Sequence, residues 1–429
     1  MDGYTARVLD AELDELLAGT SAVSIEGPKG VGKTATACRR AATIIRLDDP
    51  SERQAFAADP GRLRTLAAPV LLDEWQRQPS SWDVVRRAVD EDRHPGRYLL
   101  TGSAAPRETS LHSGAGRIVT ARMRPMTLSE RGVGAASVSL RQLLTGRRPA
   151  VDGESAVGLA DYVDELIGSG FPGLRQVRGR ALRAELDGYL DRIVQKEFPE
   201  LGQRVRNPAA LRRWMRAYAA ATSTTASYEA IRDAATGGEA DKPARSTTTP
   251  YRDALESLWV VDPVPAWVPA GNPVRRLAAA PKHQLADPAL AARLLGVDVD
   301  ALMAGRGVPT GVVVSRVGTG GTLLGALFES LVTLCVRVYA QAAEARVGHL
   351  RTRAGEHEVD LIVERSDGSV VAVEVKLARE ISDDDVKHLR WLREQLGPDL
   401  LDAVIITTGP HAYRRPDGVA VIPLALLGP

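Results

Sequence analysis

A chain of 429 residues that is 44% hydrophobic and 25% charged has the composition of a globular protein, and it is too long for a single ordinary core. Its formal net charge of +1 excludes a global basic field, so any contact with nucleic acid must use a local patch. The two cysteines, Cys38 and Cys335, exclude a disulfide framework and suit a reducing cytoplasm, and the acidic start (Asp10, Glu12, Asp14, Glu15) does not read as a signal peptide.

Residues 8–18 alternate apolar and acidic positions, which predicts a short amphipathic helix. The apolar run Ala22-Val23-Ser24-Ile25 then predicts a strand ending at Gly27. There follows Gly27-Pro28-Lys29-Gly30-Val31-Gly32-Lys33-Thr34, which meets the phosphate-loop pattern G-x-x-x-x-G-K-[ST] at every position and runs into a helix-compatible stretch. The glycines let successive N–H groups turn inward around a polyphosphate. Lys33 is positioned to reach the β- and γ-phosphates of ATP, and Thr34 to hold Mg²⁺ by its hydroxyl.

After a second strand at Thr43-Ile44-Ile45-Arg46-Leu47 comes Pro69-Val70-Leu71-Leu72-Asp73-Glu74, an apolar strand that delivers two acids to the sheet edge. This is the Walker B arrangement. Asp73 is assigned to Mg²⁺ and Glu74 to the water that attacks the γ-phosphate. A helix over Trp82 to Val89 feeds Arg97-Tyr98-Leu99-Leu100-Thr101-Gly102-Ser103, a further buried strand. Ser113-Gly114-Ala115-Gly116-Arg117 and the strand Ile118-Val119-Thr120 follow, then Arg124-Pro125-Met126-Thr127-Leu128-Ser129-Glu130.

These successive pieces resemble the prokaryotic AAA-plus ATPases whose C-terminal half is a domain of unknown function. The resemblance implies a γ-phosphate sensor at Thr101 or Ser103. It also implies an arginine finger at Arg117, acting in a neighbouring subunit of a homo-oligomer such as a ring, with Arg122 and Arg124 as competitors for that role and a structural ion pair as the alternative.

Residues 132–158, rich in Gly, Ala and Ser, are expected to form a linker or loop. Phe171-Pro172-Gly173 resembles a turn in the family's lid, and a long helix is expected from Arg180 to Phe198. Three short helices (208–221, 227–235 and 246–258) followed by Trp259-Val260-Val261 resemble a winged helix. Its last helix, with Ser246, Thr247, Thr248, Thr249, Tyr251 and Arg252, is the candidate DNA reader, though such units also mediate protein contacts. Lys282 and Asp287 resemble a Lys-x-x-x-x-Asp segment of the family and read equally as a surface ion pair. Gly318-Thr319-Gly320-Gly321 reads as a linker before an apolar helix, which Glu329 and Arg337 interrupt too strongly for a membrane span.

Period-two alternation on both sides of Ser366-Asp367-Gly368 predicts a β-hairpin that sets Asp360 opposite Glu374 and Glu358 opposite Lys376, on the face away from an apolar layer. With Glu329 on the preceding helix, Asp360, Glu374 and Lys376 resemble the core of the restriction-endonuclease-like nucleases, in which two carboxylates hold Mg²⁺. The nearby basic surface is thin (Arg351, Arg353, Lys387), which favours a regulatory module over an active nuclease.

The expected fold is α/β. It has a P-loop AAA-plus ATPase domain (1–150), a helical lid or connector (151–205), a winged-helix-like domain (206–280) and a restriction-endonuclease-like domain (281–429). The expected function is a cytoplasmic Mg²⁺-dependent ATPase that drives or gates its attached domains. The alternatives are an ATP-gated DNA nuclease and a nucleotide-controlled adaptor for a protein partner.

Overall fold

The structure, a computed structural model, describes residues 3–103, 114–202, 205, 207–236, 244–268, 280–305, 322–352 and 355–429. The Gly318–Gly321 linker and Arg353 lie outside these residues.

The first sheet is made of five parallel strands: β1 (Ala22–Glu26), β2 (Thr43–Arg46), β3 (Val70–Asp73), β4 (Tyr98–Gly102) and β5 (Ile118–Arg122). Their order is β2-β3-β4-β1-β5. A parallel sheet must be covered on both faces, which is why β3 and β4 are almost wholly apolar. Val23, Ile25, Leu71 and Leu99 point into a large central core, while Val70, Leu72, Tyr98 and Leu100 close a second core over the Ser80–Glu91 helix.

Residues 132–158 do not behave as a linker. They contain β6 (Val138–Ser139), a helical turn at Leu140–Leu143 and β7 (Gly153–Glu154). Leu140, Leu143 and Leu144 are buried in the central core, and β7 joins the C-terminal sheet. Their partners lie near the far end of the sequence, so local composition carried no sign of them.

The C-terminal sheet comprises β8 (Arg346–Arg351), β9 (Glu358–Glu364), β10 (Val370–Lys376), β11 (Leu400–Thr407), β12 (His411–Arg414) and β13 (Ala420–Pro423). With β7 the order is β7-β12-β13-β11-β10-β9-β8, and β14 (Leu427–Gly428) pairs separately with β6. The β9–β10 hairpin closes as expected: Arg365 N–H donates to the Ser369 carbonyl at 2.9 Å, and Gly368 sits at φ +86°. Its face bearing Leu361, Val363, Val371 and Val373 enters the central core. The opposite face is not a free polar surface, because Ile362, Val370 and Ala372 are buried under the Lys387–Leu396 helix. Charge is therefore confined to one end of the hairpin.

Between the sheets lie the helices Leu159–Ile167, Gly179–Arg192, Pro208–Ala220, Tyr228–Ala234 and Arg245–Ser257. After the last of these, Val261 bridges Leu285 and Val264 bridges Lys282 in antiparallel sense. The Leu323–Ala342 helix is long and apolar enough to cross a membrane, by length and composition alone. It is spent instead on the central core, where Leu327, Phe328, Leu331 and Val332 are fully buried.

One acid ties this helix to the first sheet. Asp262 Oδ2 lies 2.9 Å from Arg124 Nε and 3.5 Å from Arg122 Nη2, and its Oδ1 lies 2.9 Å from Arg337 Nη2. Burial works to raise its pKa, but Arg124, Arg337 and Arg122 outweigh burial and hold the carboxyl ionised well below the usual range. Arg122 also stacks on Trp259, with its guanidinium carbon 3.5 Å from the ring centroid. Removing the acid strands three mostly buried cations. Asp262→Ala is therefore expected to cost about 3–5 kcal/mol in urea unfolding; a loss below about 1 kcal/mol would show that solvent already compensates these arginines.

Candidate functional site

The P-loop leaves β1 at Gly27, where a Cβ would meet the Met123 carbonyl oxygen at 2.1 Å, so no other residue fits. Gly30 and Gly32 adopt φ +80° and +107°, which turns the loop's N–H groups inward, and the Lys33–Cys38 helix begins directly after. The Lys33 ammonium donates to the Gly27 and Pro28 carbonyls at 2.8 and 2.9 Å. Burial pulls its pKa down to about 8, against the pull of Glu74 and Asp73. The loop is braced from behind. Arg7, missed by sequence reasoning, donates to the Val31 carbonyl at 2.8 Å and pairs with buried Glu130 at 3.0 Å. From the front, Lys29 reaches Glu197 at 2.8 Å, on a π-helical turn (Ile193–Glu197) that continues the Gly179–Arg192 helix.

The neighbouring strands bring the remaining candidates to the same sheet edge. Thr34 Oγ1 donates to Asp73 Oδ1 at 2.7 Å, and Thr101 Oγ1 donates to the same oxygen. Glu74 occupies the left-handed region at φ 55° and accepts from the Gln76 amide, which also donates to Ser103 Oγ at 3.2 Å. Strand register separates the arginines. β5 runs parallel to β1 with Ile118 opposite Ala22 and Arg122 opposite Glu26. Arg117 is thus at the edge remote from its own P-loop, ion-paired with Asp90 at 2.8 Å. Arg122 is at the P-loop edge but committed to Asp262 and Trp259. In the helix offered as a DNA reader, Thr248 and Tyr251 face the core, and Arg252 is held by Asp253 at 3.0 Å and packs over the Tyr228 ring.

Two cavities border the P-loop. One of about 470 Å³ is lined by Tyr4, Gly32, Ala35, Thr36, Arg39 and Pro172. Another of about 260 Å³ lies between Lys29, Gly30 and Ser103 on one side and Arg192 and Lys196 on the other. A larger one of about 870 Å³ lies away from this chemistry, between the Leu159–Ile167 and Gly179–Arg192 helices and the Asp298 turn.

In the C-terminal unit, the surface-pair reading of Lys282 and Asp287 is wrong. Both are buried, and they do not meet. Asp287 caps the Pro288–Leu295 helix through Ala289 N–H and accepts from Ser169 Oγ and Gly170 N–H at 2.7 Å each. Lys282 Nζ stands 2.8 Å from Glu329 Oε1, 2.9 Å from Asp360 Oδ1 and 3.8 Å from Glu358 Oε1. Asp360 Oδ2 accepts from Val375 N–H at 2.9 Å, and Lys376 Nζ pairs with Glu374 Oε1 at 2.9 Å. Glu329, Asp360, Glu374 and Lys376 are thus in one neighbourhood, with a lysine at its centre that the sequence reading did not place there.

The comparisons with known proteins agree with the first half of this description. Residues 19–131, the part that carries the P-loop, match the model of an AAA domain. Residues 159–301 and 324–427 match two models, each described as a domain of unknown function (DUF8612 and DUF4143). Two uncharacterized proteins, of Mycobacterium bovis and Mycobacterium tuberculosis, are each 26% identical to this chain over 427 residues, covering 96% of it and 82% of their own length. Among solved structures, a Walker-type ATPase of Pyrococcus abyssi aligns at a TM-score of 0.39 and 17% identity, over 66% of this chain and 94% of its own.

Charge around Lys282 has a consequence for stability. Burial pushes the Glu329 carboxyl up to about 8, Asp360 adds to that, and Lys282 opposes it. Burial likewise lifts Glu374 to about 8, with Asp360 adding and Lys376 opposing. In the unfolded chain both ionise near 4.5, so between these values the folded protein holds more protons. Their stabilising contribution is complete below about pH 4.5 and is lost as pH rises to about 8. Thermal stability should fall over pH 5–8, each group contributing at most about 1.4 kcal/mol per unit. Glu329→Gln should flatten that fall; an identical slope in the variant would contradict the assignment.

Proposed function

We propose that the chain is a Mg²⁺-dependent ATPase whose P-loop site takes and hydrolyses ATP, and whose output is a change in the units attached to it. The observation that carries this reading is the convergence of Lys33, Thr34, Asp73 and Glu74 at one sheet edge beside a loop that only glycine can form. In the structure Lys33 is satisfied by the loop's own carbonyls. On ATP binding its ammonium transfers from these carbonyls to phosphate oxygens, which are stronger acceptors. The Thr34 hydroxyl and the Asp73 carboxylate, already joined, are the hard oxygen donors that suit Mg²⁺. When bound, that ion supplies charge neutralisation to the β- and γ-phosphates.

Glu74 is the base that orients water. Gln76 is a positioning residue, holding the Glu74 carboxylate and reaching Ser103. A γ-phosphate that engages Ser103 competes for Gln76 and frees Glu74 for its water. The 470 Å³ cavity beside Gly32 and Thr36 suits the base and ribose. Arg117, remote from its own P-loop and held only by an exposed, solvent-screened ion pair, is available to serve a neighbouring copy in a homo-oligomer.

The adaptor reading of the output, in which nucleotide state controls a partner, is favoured over DNA cleavage by one observation: the lysine seated among the hairpin carboxylates. Glu74→Gln should retain ATP binding and lose turnover by about a hundredfold or more, while Lys33→Ala should lose binding in the same fluorescent-nucleotide titration. Hydrolysis at the wild-type rate in Glu74→Gln would sink the catalytic assignment.

A further inference from the structure

The residues Glu329, Asp360 and Glu374 do not fit a divalent ion as they stand. A hard cation such as Mg²⁺ takes about six oxygens at about 2.0–2.1 Å. Among the described residues, no group of three or more His, Cys, Asp or Glu converges closely enough to hold a metal. The centre is filled by the Lys282 ammonium, whose side chain is only 1% exposed and which donates to Glu329 and Asp360. Asp360 has its second oxygen on the Val375 N–H. One oxygen in the set is left over: Glu374 Oε2 is buried without a hydrogen-bond partner, on a residue 6% exposed.

We propose that this carboxylate set does not hold the divalent ion that the nuclease resemblance implies, because the Lys282 ammonium occupies the place the ion would take. An ammonium and a divalent ion cannot share so small a buried space, because the two repel strongly at low dielectric. The lysine also widens the set: its contacts of 2.8 and 2.9 Å hold the two acids farther from the central charge than a metal would. Burial works to lower the Lys282 pKa, but Asp360 and Glu329 outweigh it and drive the pKa upward, so the amine does not leave by deprotonation at neutral pH. Lys282 is held in place by an antiparallel backbone pair with Val264. This inference does not depend on the ATPase reading, since every residue in it lies outside the P-loop unit.

The test is Mn²⁺ binding to the full-length, nucleotide-free protein at pH 8.5, followed by electron paramagnetic resonance and calorimetry. Wild type and Asp360→Asn should bind Mn²⁺ identically, showing no contribution from the cluster. Lys282→Met should gain one equivalent of bound Mn²⁺, and Lys282→Met/Asp360→Asn should lose it again. Asp360-dependent binding in wild type would overturn the proposal, as would a folded Lys282→Met protein that gains none. If Lys282→Met does not fold in metal-free buffer, added Mn²⁺ should restore it, because the ion replaces the missing charge. A variant that stays unfolded with Mn²⁺, while Lys282→Arg folds without it, would mean that the site accepts only an organic cation and would also overturn the proposal.

Discussion

The run from Lys282 to Asp287 is buried at every position, although four of its six residues are polar. A buried polar group without a partner costs about 1–3 kcal/mol, and a buried charge costs more, so each side chain on this run dictates what must surround it. Lys282 requires the acids of the Leu323–Ala342 helix and β9. His283 donates its Nε2–H to the Ala226 carbonyl at 2.7 Å, and Gln284 donates to Ser223 Oγ at 3.0 Å, both in the helical middle. Asp287 requires Ser169 and Gly170, next to the turn whose Pro172 lies beside Gly32 of the P-loop. Six residues thereby fix the relative placement of three units.

This spine explains why the molecule has one large core rather than three separate ones. The inner faces of both sheets, the intervening helices and the Leu323–Ala342 helix belong to a single buried cluster, and only the outer face of each sheet has a core of its own. Asp262 repeats the device nearer the first sheet, gathering arginines from β5, the loop after it and the central helix. Buried ions of this kind contribute little net stability, but their partners must be in place, which favours one arrangement of the units over others. A nucleotide that tightens Gly32 and its neighbours presses on a turn already bonded to Asp287. The far end of the same run holds the lysine that fills the carboxylate cluster.

The parts legible in the sequence are those whose determinants are local. The P-loop could be read because loop, strand and helix are contiguous and glycine is obligatory at Gly27; the β9–β10 hairpin could be read because period two and the Ser366-Asp367-Gly368 turn fix its register. Asp360 and Glu374 were accordingly found from spacing alone. Lys282 was seen but misplaced, since its partners Glu329 and Asp360 are distant in sequence and only the folded chain brings them to it. Arg7 and Asp262 gave no signal for the same reason. Residues 132–158 read as a linker because glycines and polar residues break up their apolar positions, and their strand partners lie near the other end of the chain. The Lys387–Leu396 helix covers what period two alone marked as an open face.

The claim that most needs testing is that the nucleotide site and the lysine-centred cluster belong to one cooperative body. Hydrogen exchange of the buried β10 residues, Val371 to Glu374, with and without saturating Mg-ATP, tests it most directly. A ligand at a hundred times its Kd slows exchange that proceeds through global unfolding by about a hundredfold. One cooperative body shows that slowing in β10 as well as in β1 and β3. Protection confined to the first sheet, with β10 unchanged, would mean that the C-terminal unit opens independently, and would contradict the account.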